Sequence, residues 1–191
     1  MRNKIEKNVL GKCVDYTFDG QGIVKHEGRV IFVPSLLKDE EAEIEIIYHK
    51  KDFDVGIIKK ITKFSPYRIM SPRCKVATAC GGCSFMNLDY DEEIRLKTTR
   101  VEETMEKIAK LPLKVEHFYK MENPYFYRNK IQVPYRYDKQ HRIVYGFYKA
   151  KSHDVVYTDE CVIQDEHAKD ILKALQKLFI SFKVEPYDED R

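Results

Sequence analysis

The chain has 191 residues, of which 43% are hydrophobic and 34% charged, and its 34 basic and 31 acidic side chains leave a net charge of +3. This composition excludes a disordered chain, and eight glycines and seven prolines exclude a collagen-like or linker-like one. No apolar run reaches the roughly 18 residues of a membrane span, and the first twenty residues lack the apolar core of a signal peptide. We therefore expect a cytoplasmic protein of one or two small domains with no membrane partner.

Short segments of alternating polar and apolar residues fill the first 62 positions and predict a small β-barrel. Glu27 and Gly28 separate two apolar runs, as in a tight hairpin whose glycine takes a positive φ. Several short antiparallel strands protect their edges by closing, so we predict an OB-like barrel over residues 1–64. Cys13 lies alone in the first strand and is predicted to be a small buried hydrophobic residue.

A second domain is predicted to follow, because Pro66 and Pro72 interrupt regular structure near residue 65. Asp89 is a candidate N-cap, with Glu92 as the acid at the third helical position. The fold class predicted for the whole chain is α+β with mostly β. Its second domain, residues 65–191, comprises a loop over 71–88, a helix over 90–110 ended by Pro112, a mostly antiparallel sheet over 113–158 and a second helix over 165–180.

Each predicted helix carries an apolar stripe, which we expect to face the core. The first stripe consists of Ile94, Val101, Met105 and Ile108, and the second of Ala168, Ile171, Leu172, Leu175, Leu178 and Phe179.

Four cysteines predict a metal site: Cys74, Cys80, Cys83 and Cys161. In a reducing compartment, clustered thiols bind metal or perform redox chemistry more often than they form disulfides. Four thiolates suit a tetrahedral zinc ion or an iron-sulfur cluster, and three close ligands with a remote fourth favour the cluster. The Gly81-Gly82 pair allows the backbone to wrap closely and offers amide donors to sulfur. Zinc, and thiols without a ligand, remain the alternatives.

Positive charge and aromatic rings are concentrated in residues 112–151. This segment has nine basic and three acidic side chains, a net charge of +6, and ten aromatic residues. Basic residues among aromatic ones are typical of surfaces that bind single-stranded nucleic acid, where cations follow phosphates and rings stack on unpaired bases. An ordinary aromatic sheet with a basic, hydrated face would have the same composition.

Several short sequence motifs occur in an order typical of one enzyme family. They are glycine-containing strands at 20–24 and 28–34, Ser65-Pro66-Tyr67-Arg68 with Pro72, Cys74 to Cys83, Tyr90 with Lys97, Tyr127-Arg128-Asn129-Lys130 with Gln132 and Pro134, Gly146-Phe147-Tyr148, Ser152-His153-Asp154, and Cys161 with Gln164. In these motifs and their order, the sequence resembles the N-terminal half of the iron-sulfur RNA uracil-5-methyltransferases, of the type that acts on 23S ribosomal RNA.

The resemblance implies a TRAM domain at residues 1–64 and an iron-sulfur central domain at residues 65–191. It implies that the four cysteines hold a mainly structural 4Fe-4S cluster, and that the partner is RNA, ribosomal and in single-stranded or loop form. The candidate RNA-binding residues are Tyr127, Arg128, Asn129, Lys130, Gln132, Lys149 and His153.

Members of that family continue into a Rossmann-like domain that binds S-adenosylmethionine and carries the catalytic residues. This sequence has no glycine-rich nucleotide loop after a strand, so we name no catalytic residue. We expect the chain alone to be inactive and its C-terminal methyltransferase domain, which would bind S-adenosylmethionine, to be missing. The alternatives are a stand-alone RNA-binding module with a structural iron-sulfur or zinc site, and an electron-transfer protein.

Overall fold

The computed structural model describes residues 7–150 and 152–187, which fall into two compact units. One unit comprises Met1–Ser71 and Ser84–Glu116, and the other comprises Pro72–Cys83 and His117–Arg191. This division differs from the predicted boundary near residue 65, because the first helix belongs to the same unit as the barrel.

The first unit contains a closed five-stranded barrel, in agreement with the predicted OB-like barrel. Its strands follow one another around the barrel in the order β1-β2-β3-β5-β4. The pair β3–β5 is parallel, and the other neighbours are antiparallel. The strands are β1 (Lys7–Tyr16), β2 (Gly22–His26), β3 (Arg29–Val33), β4 (Glu41–His49) and β5 (Phe53–Lys63).

The barrel core is built from alternate positions of its strands, as the period of a β-strand requires. In β4 the buried residues Ala42, Ile44 and Ile46 alternate with partly exposed glutamates. Cys13 is fully buried in the same core, and burial raises the pKa of its thiol to about 11. The prediction for Cys13 is confirmed.

The turn between β2 and β3 is the predicted tight hairpin. His26 pairs with Arg29, and the two residues between them have positive φ angles, 47° at Glu27 and 76° at Gly28. Two positive φ angles in a two-residue loop match the right-handed twist of the flanking strands. The hairpin prediction is confirmed, with Glu27 joining the glycine in the left-handed region.

A buried carboxylate fastens the loop before β4 to the residues after β5. Glu40 has no exposed surface, and its oxygens accept hydrogen bonds from the backbone amides of Leu37 (2.8 Å) and Ser65 (3.2 Å). Arg68 donates to the same carboxylate from Nε (2.5 Å) and Nη2 (2.7 Å), and Nη2 also donates to the Ser35 carbonyl. A charge pair that is largely removed from water therefore joins the loop between β3 and β4 to the chain that follows β5.

Helix α1 (Tyr90–Thr104) continues into a π-helical turn, Met105–Ala109. Asp89 is its N-cap and accepts from the amides of Asp91 and Glu92, as predicted. The helical segment ends at Lys110, whose φ of 59° lies in the left-handed region. The predicted span of 90–110 is confirmed.

The apolar stripe of this helix is not core along its whole length, contrary to expectation. Val101 and Ile108 are 51% and 78% exposed. The helix packs through Leu96 against a buried cluster that contains Tyr16. Arg100 adds polar contacts, donating to the carbonyls of Tyr16 (3.0 Å) and Thr17 (2.8 Å). Helical spacing shows which residues share a face and not whether another element covers that face.

The second unit contains a three-stranded antiparallel sheet in the order β6-β7-β8 and helix α2. The strands are β6 (Tyr135–Tyr137), β7 (Ile143–Tyr148) and β8 (Val155–Tyr157), and α2 spans Ala168–Ser181. The prediction of a sheet over 113–158 is wrong for residues 113–134, which contain an isolated bridge at Arg128 and no strand. Backbone groups at 126–128 bond instead to a loop, and Pro124 and Pro134 supply no amide donor.

Helix α2 matches the predicted helix over 165–180, but its stripe is only partly buried. Ala168 and Leu172 are buried, whereas Ile171 and Leu178 are 57% and 49% exposed. The helix is attached to the sheet through the face that carries Leu172, whose carbonyl accepts from the Tyr135 hydroxyl (2.9 Å). Neither helix described by the structure is long and apolar enough to cross a bilayer.

Candidate functional site

The four cysteines predicted as ligands come together in the second unit. Burial raises the pKa of the Cys83 thiol to about 11, and Cys161, Cys80 and Cys74 act in the same direction. Burial also raises the pKa of Cys74, again with contributions from Cys161 and Cys80. All four thiols are free and partly buried. The thiol of Cys161 is therefore close enough to the thiols of the 74–83 loop to interact with them electrostatically.

The donor set fits a thiolate-bound metal group chemically, since iron-sulfur clusters and structural zinc both take four cysteines. In the part of the chain that the structure describes, no group of three or more His, Cys, Asp or Glu side chains has an arrangement that holds a metal ion. The thiols are thus neighbours that do not already have a ligand geometry.

The two glycines of the cysteine loop have separate roles. The Gly81 amide donates to the Tyr148 carbonyl (2.9 Å), and a Cβ atom at Gly81 would lie 2.7 Å from the Ala150 nitrogen. The Gly82 amide donates to Cys80 Sγ (3.4 Å). The expectation that this pair permits close approach and supplies a donor to sulfur is confirmed.

The remote Cys161 lies in a loop that is paired with residues 126–128. The amides of Phe126 and Arg128 donate to the carbonyls of Val162 (3.0 Å) and Ile163 (2.9 Å), and the Arg128 carbonyl accepts from the Asp165 amide (2.9 Å). Phe126 keeps a φ of 57°, which bulky residues rarely adopt, within this pairing. The same pairing brings Arg128 near the thiols, where its charge acts to lower the pKa of Cys83, against the larger effect of burial.

A cavity of about 300 Å³ lies beside Cys161, with Arg73, Phe126 and Gln164 among its lining residues. The Arg73 guanidinium carbon is 4.8 Å from the ring centroids of both Tyr125 and Phe126, the geometry of a cation–π contact. Gln164 is 5% exposed, and its Nε2 has no hydrogen-bond partner among the described residues. A buried amide donor next to Cys161 is the kind of group that bonds to the sulfur of a bound cluster.

The seven residues predicted to bind RNA are all exposed or at the surface: Tyr127, Arg128, Asn129, Lys130, Gln132, Lys149 and His153. Lys149 pairs with Cys80 in an isolated bridge, so it lies beside the cysteines, as Arg128 does. His153 follows in the β7–β8 turn and packs edge-on against Tyr148, with centroids 5.9 Å apart. Gln132 lies elsewhere, at an aromatic cleft.

This aromatic cleft has a volume of about 720 Å³ and is bounded by residues 132–136, Phe147, Tyr148, Phe179 and residues 184–187. Phe179 packs edge-on against Tyr135, with centroids 4.9 Å apart. The cleft is therefore formed by the sheet, the end of α2 and the chain that follows it.

The roles of Arg73 and of the Arg68–Glu40 pair are not predicted by the sequence. The sequence offers one signal for Arg73, which is its position directly before Cys74, a candidate ligand. Arg68 belongs to the Ser65-Pro66-Tyr67-Arg68 motif, but the sequence around Glu40 does not indicate that the two residues pair. Their contact depends on the closure of the barrel.

Among proteins of known sequence, the chain is similar to several named as RNA methyltransferases. The "Uncharacterized RNA methyltransferase OB0768" of Oceanobacillus iheyensis is 36% identical over 177 residues, which cover 92% of this chain and 38% of the relative. An "Uncharacterized RNA methyltransferase" of Bacillus cereus is 35% identical over 194 residues, covering 100% of this chain and 42% of the relative. The chain thus spans about two-fifths of the length of these relatives, and no family model matches it.

Among solved structures, the fold is similar to part of the Pyrococcus abyssi tRNA (uracil-54, C5)-methyltransferase, which was crystallised with S-adenosyl-L-homocysteine. The TM-score is 0.63 at 21% identity, and the match covers 92% of this chain and 37% of that enzyme. At this identity the likeness establishes a shared fold.

Proposed function

We propose that this chain is the RNA-recognition and 4Fe-4S-binding half of an S-adenosylmethionine-dependent uracil-5-methyltransferase that acts on ribosomal RNA. The observation that carries the proposal is the grouping of four thiols with the basic residues Arg128 and Lys149 beside them. Similarity to longer proteins named RNA methyltransferases supports it. In this proposal the barrel is a TRAM domain, and the catalytic and S-adenosylmethionine-binding residues belong to the part of the relatives that this chain does not match.

The cluster ligands in this proposal are Cys74, Cys80, Cys83 and Cys161. When bound, the cluster would act as a structural cross-link between the 74–83 loop and the loop before α2. The Gly82 amide and the buried amide of Gln164 are the nearby donors that support sulfur ligation. The three-plus-one spacing is our reason for favouring the cluster over zinc.

Metal analysis tests the cluster directly. Protein purified without oxygen is expected to contain about four iron and four sulfide per chain. Cys80→Ala should lose the iron and lower the melting temperature, since a lost ligand removes a cross-link between distant parts of the chain. Cys13→Ala is the matched control, because Cys13 lies in the barrel core, and it should keep the iron. Stoichiometric zinc without iron would contradict the cluster and leave a zinc-stabilised RNA-binding module.

The RNA-binding face is proposed to comprise Tyr127, Arg128, Asn129 and Lys130 together with Lys149 and His153. Their exposure beside the rigid loop pairing at 126–128 supports this assignment. Cations on a fixed backbone follow phosphates, and an exposed tyrosine offers a ring to an unpaired base.

Salt-dependent binding of a single-stranded RNA tests this face. Arg128→Ala and Lys130→Ala should each weaken binding and reduce the slope of log affinity against log salt by about 0.7 per lost phosphate contact. Lys177→Ala, an exposed lysine on α2, is the matched control and should change neither quantity. Salt-independent binding, or an Arg128→Ala variant equal to the parent, would contradict the assignment. Fragments of 23S ribosomal RNA should bind more tightly than transfer RNA of equal length.

The chain alone is expected to transfer no methyl group to RNA when supplied with S-adenosylmethionine. Incorporation of labelled methyl into uridine by the purified chain would show that the catalytic residues lie within it, against the proposal.

A further inference from the structure

We propose that the aromatic cleft between the β6–β7 sheet and residues 184–187 is a second RNA contact, which holds an unpaired nucleotide by stacking. This inference rests on the proposed function and adds a second site to it. The cleft binds a base, whereas the face at 127–130 binds mainly phosphates through its cations.

The walls of the cleft suit a flat aromatic ligand. Tyr187 is 75% exposed and Tyr148 is 37% exposed, so two of the lining residues offer ring surface to a ligand. The volume of about 720 Å³ lies in the range of pockets that enclose a ligand of nucleotide size. Stacking on exposed rings tolerates any base, because every base has a π-face.

Tyr187 is held in place by Arg136. The Arg136 guanidinium carbon lies 6.0 Å from the Tyr187 ring centroid, and its Nη1 donates to the Tyr187 carbonyl. Arg136 lies over one face of the Tyr187 ring, and the other face is left for a ligand. Gln132 lines the cleft as well, and its amide offers both a donor and an acceptor to a base edge.

Aromatic rings and continuity with the proposed RNA face favour RNA over an apolar peptide as the occupant. The charged residues that line the cleft are Arg136 and Glu185, which balance each other, whereas the 112–151 segment that supplies most of the wall has a net charge of +6. Tyr148 adjoins Lys149 in sequence and packs against His153. The proposed RNA face and the cleft therefore adjoin at Tyr148. The acidic groups at this junction are Glu185 in the cleft wall and Asp154, whose carboxylate lies 3.6 Å from Lys149 Nζ.

The test compares oligouridine of about eight nucleotides with an abasic oligomer of equal length, which keeps the phosphates and lacks the bases. Tyr187→Ala should weaken oligouridine binding about fivefold or more and leave abasic binding and the salt slope unchanged. Tyr187→Phe should restore binding, because the ring remains. Phe182→Ala, an exposed aromatic residue of the same unit that does not line the cleft, is the matched control.

The outcomes separate the two proposals. If the parent chain binds no RNA, or Arg128→Ala has no effect, the proposed RNA face fails. A second outcome is that the parent binds oligouridine and Arg128→Ala weakens this binding, while Tyr187→Ala and Tyr148→Ala bind as the parent does. In that case the cleft proposal is overturned, and the rings of the cleft serve another partner. Thermal melting of both tyrosine variants shows whether a loss of binding is a loss of fold, and a loss with unchanged melting supports the site.

Discussion

Replacement of Arg68 by alanine is the sharpest test of how the barrel unit is stabilised. The side chain of Arg68 is 12% exposed, and that of its partner Glu40 is 0% exposed. The substitution leaves two backbone amides, those of Leu37 and Ser65, as the remaining donors to a buried carboxylate. Among the residues that the structure describes, no other cation then forms an ion pair with Glu40.

The expected loss is large because breaking a buried pair from one side costs about 3–5 kcal/mol. This is a major fraction of the 5–15 kcal/mol that small domains possess in total. For a domain of roughly 100 residues, each kcal/mol shifts the melting temperature by about 4 °C or more, so Arg68→Ala should lower it by at least about 12 °C.

Chemical denaturation followed by circular dichroism measures this loss, with two comparisons built in. Arg142→Ala removes the partner of Asp138 at a surface pair in which the arginine side chain is 72% exposed, and should cost no more than about 1 kcal/mol. Adding Glu40→Gln to Arg68→Ala removes the buried charge, and should recover part of the stability.

Equal losses in Arg68→Ala and Arg142→Ala would refute the reasoning. A double variant no more stable than Arg68→Ala would show that lost packing, and not the buried charge, causes the destabilisation.

Three further predictions concern single positions. The hydrogen bond from Arg29 lowers the pKa of Asp54 in the folded protein. The ionised Asp54 therefore stabilises the fold fully at pH values above its unfolded pKa of about 3.8, and this stabilisation is lost as the pH falls through the lower pKa of the folded state. His49 Nδ1 also lies 2.5 Å from this carboxylate, so the value at pH 5 is the reference. The stability difference between the parent and Asp54→Asn should shrink as the pH falls from about 5 to below about 4, and a difference that stays constant down to about pH 2 would contradict this. Gly81→Ala should lower the melting temperature more than Gly82→Ala, whose nearest atom would be 3.4 Å away, and equal melting would argue against the close approach. Cys13 should be the last thiol alkylated in metal-free protein, as followed by mass spectrometry, because it is fully buried whereas the other four cysteines are partly exposed; early labelling would place it at the surface.

Local features were predictable where one or two residues decide the backbone. The Glu27-Gly28 hairpin and the Asp89 cap were both identified in advance, because positive φ and an orphan amide each demand particular side chains. The strands of the barrel were predictable for a different reason, because alternation of polar and apolar residues shows which side chains of a strand are buried.

Features that depend on tertiary contact were not predictable. Residues 113–134 look like strands by composition, yet their backbone at Arg128 bonds to the loop after Cys161. Spacing placed Ile171 and Leu178 on one face of α2 without revealing that they would be exposed. The grouping of the cysteines could be inferred from residue type, whereas the position of Arg128 beside Cys83 depends on that long-range loop pairing.

The interleaving of the two units has a consequence for synthesis on the ribosome. The chain enters the second unit at Pro72, leaves it at Cys83 and returns only at His117. Three thiols therefore emerge from the ribosome well before Cys161, which lies beyond the whole β6–β8 sheet. If the four thiols hold the proposed cluster, the ligand set is incomplete until Cys161 is translated, and the cluster is inserted only after the barrel sequence has been synthesised.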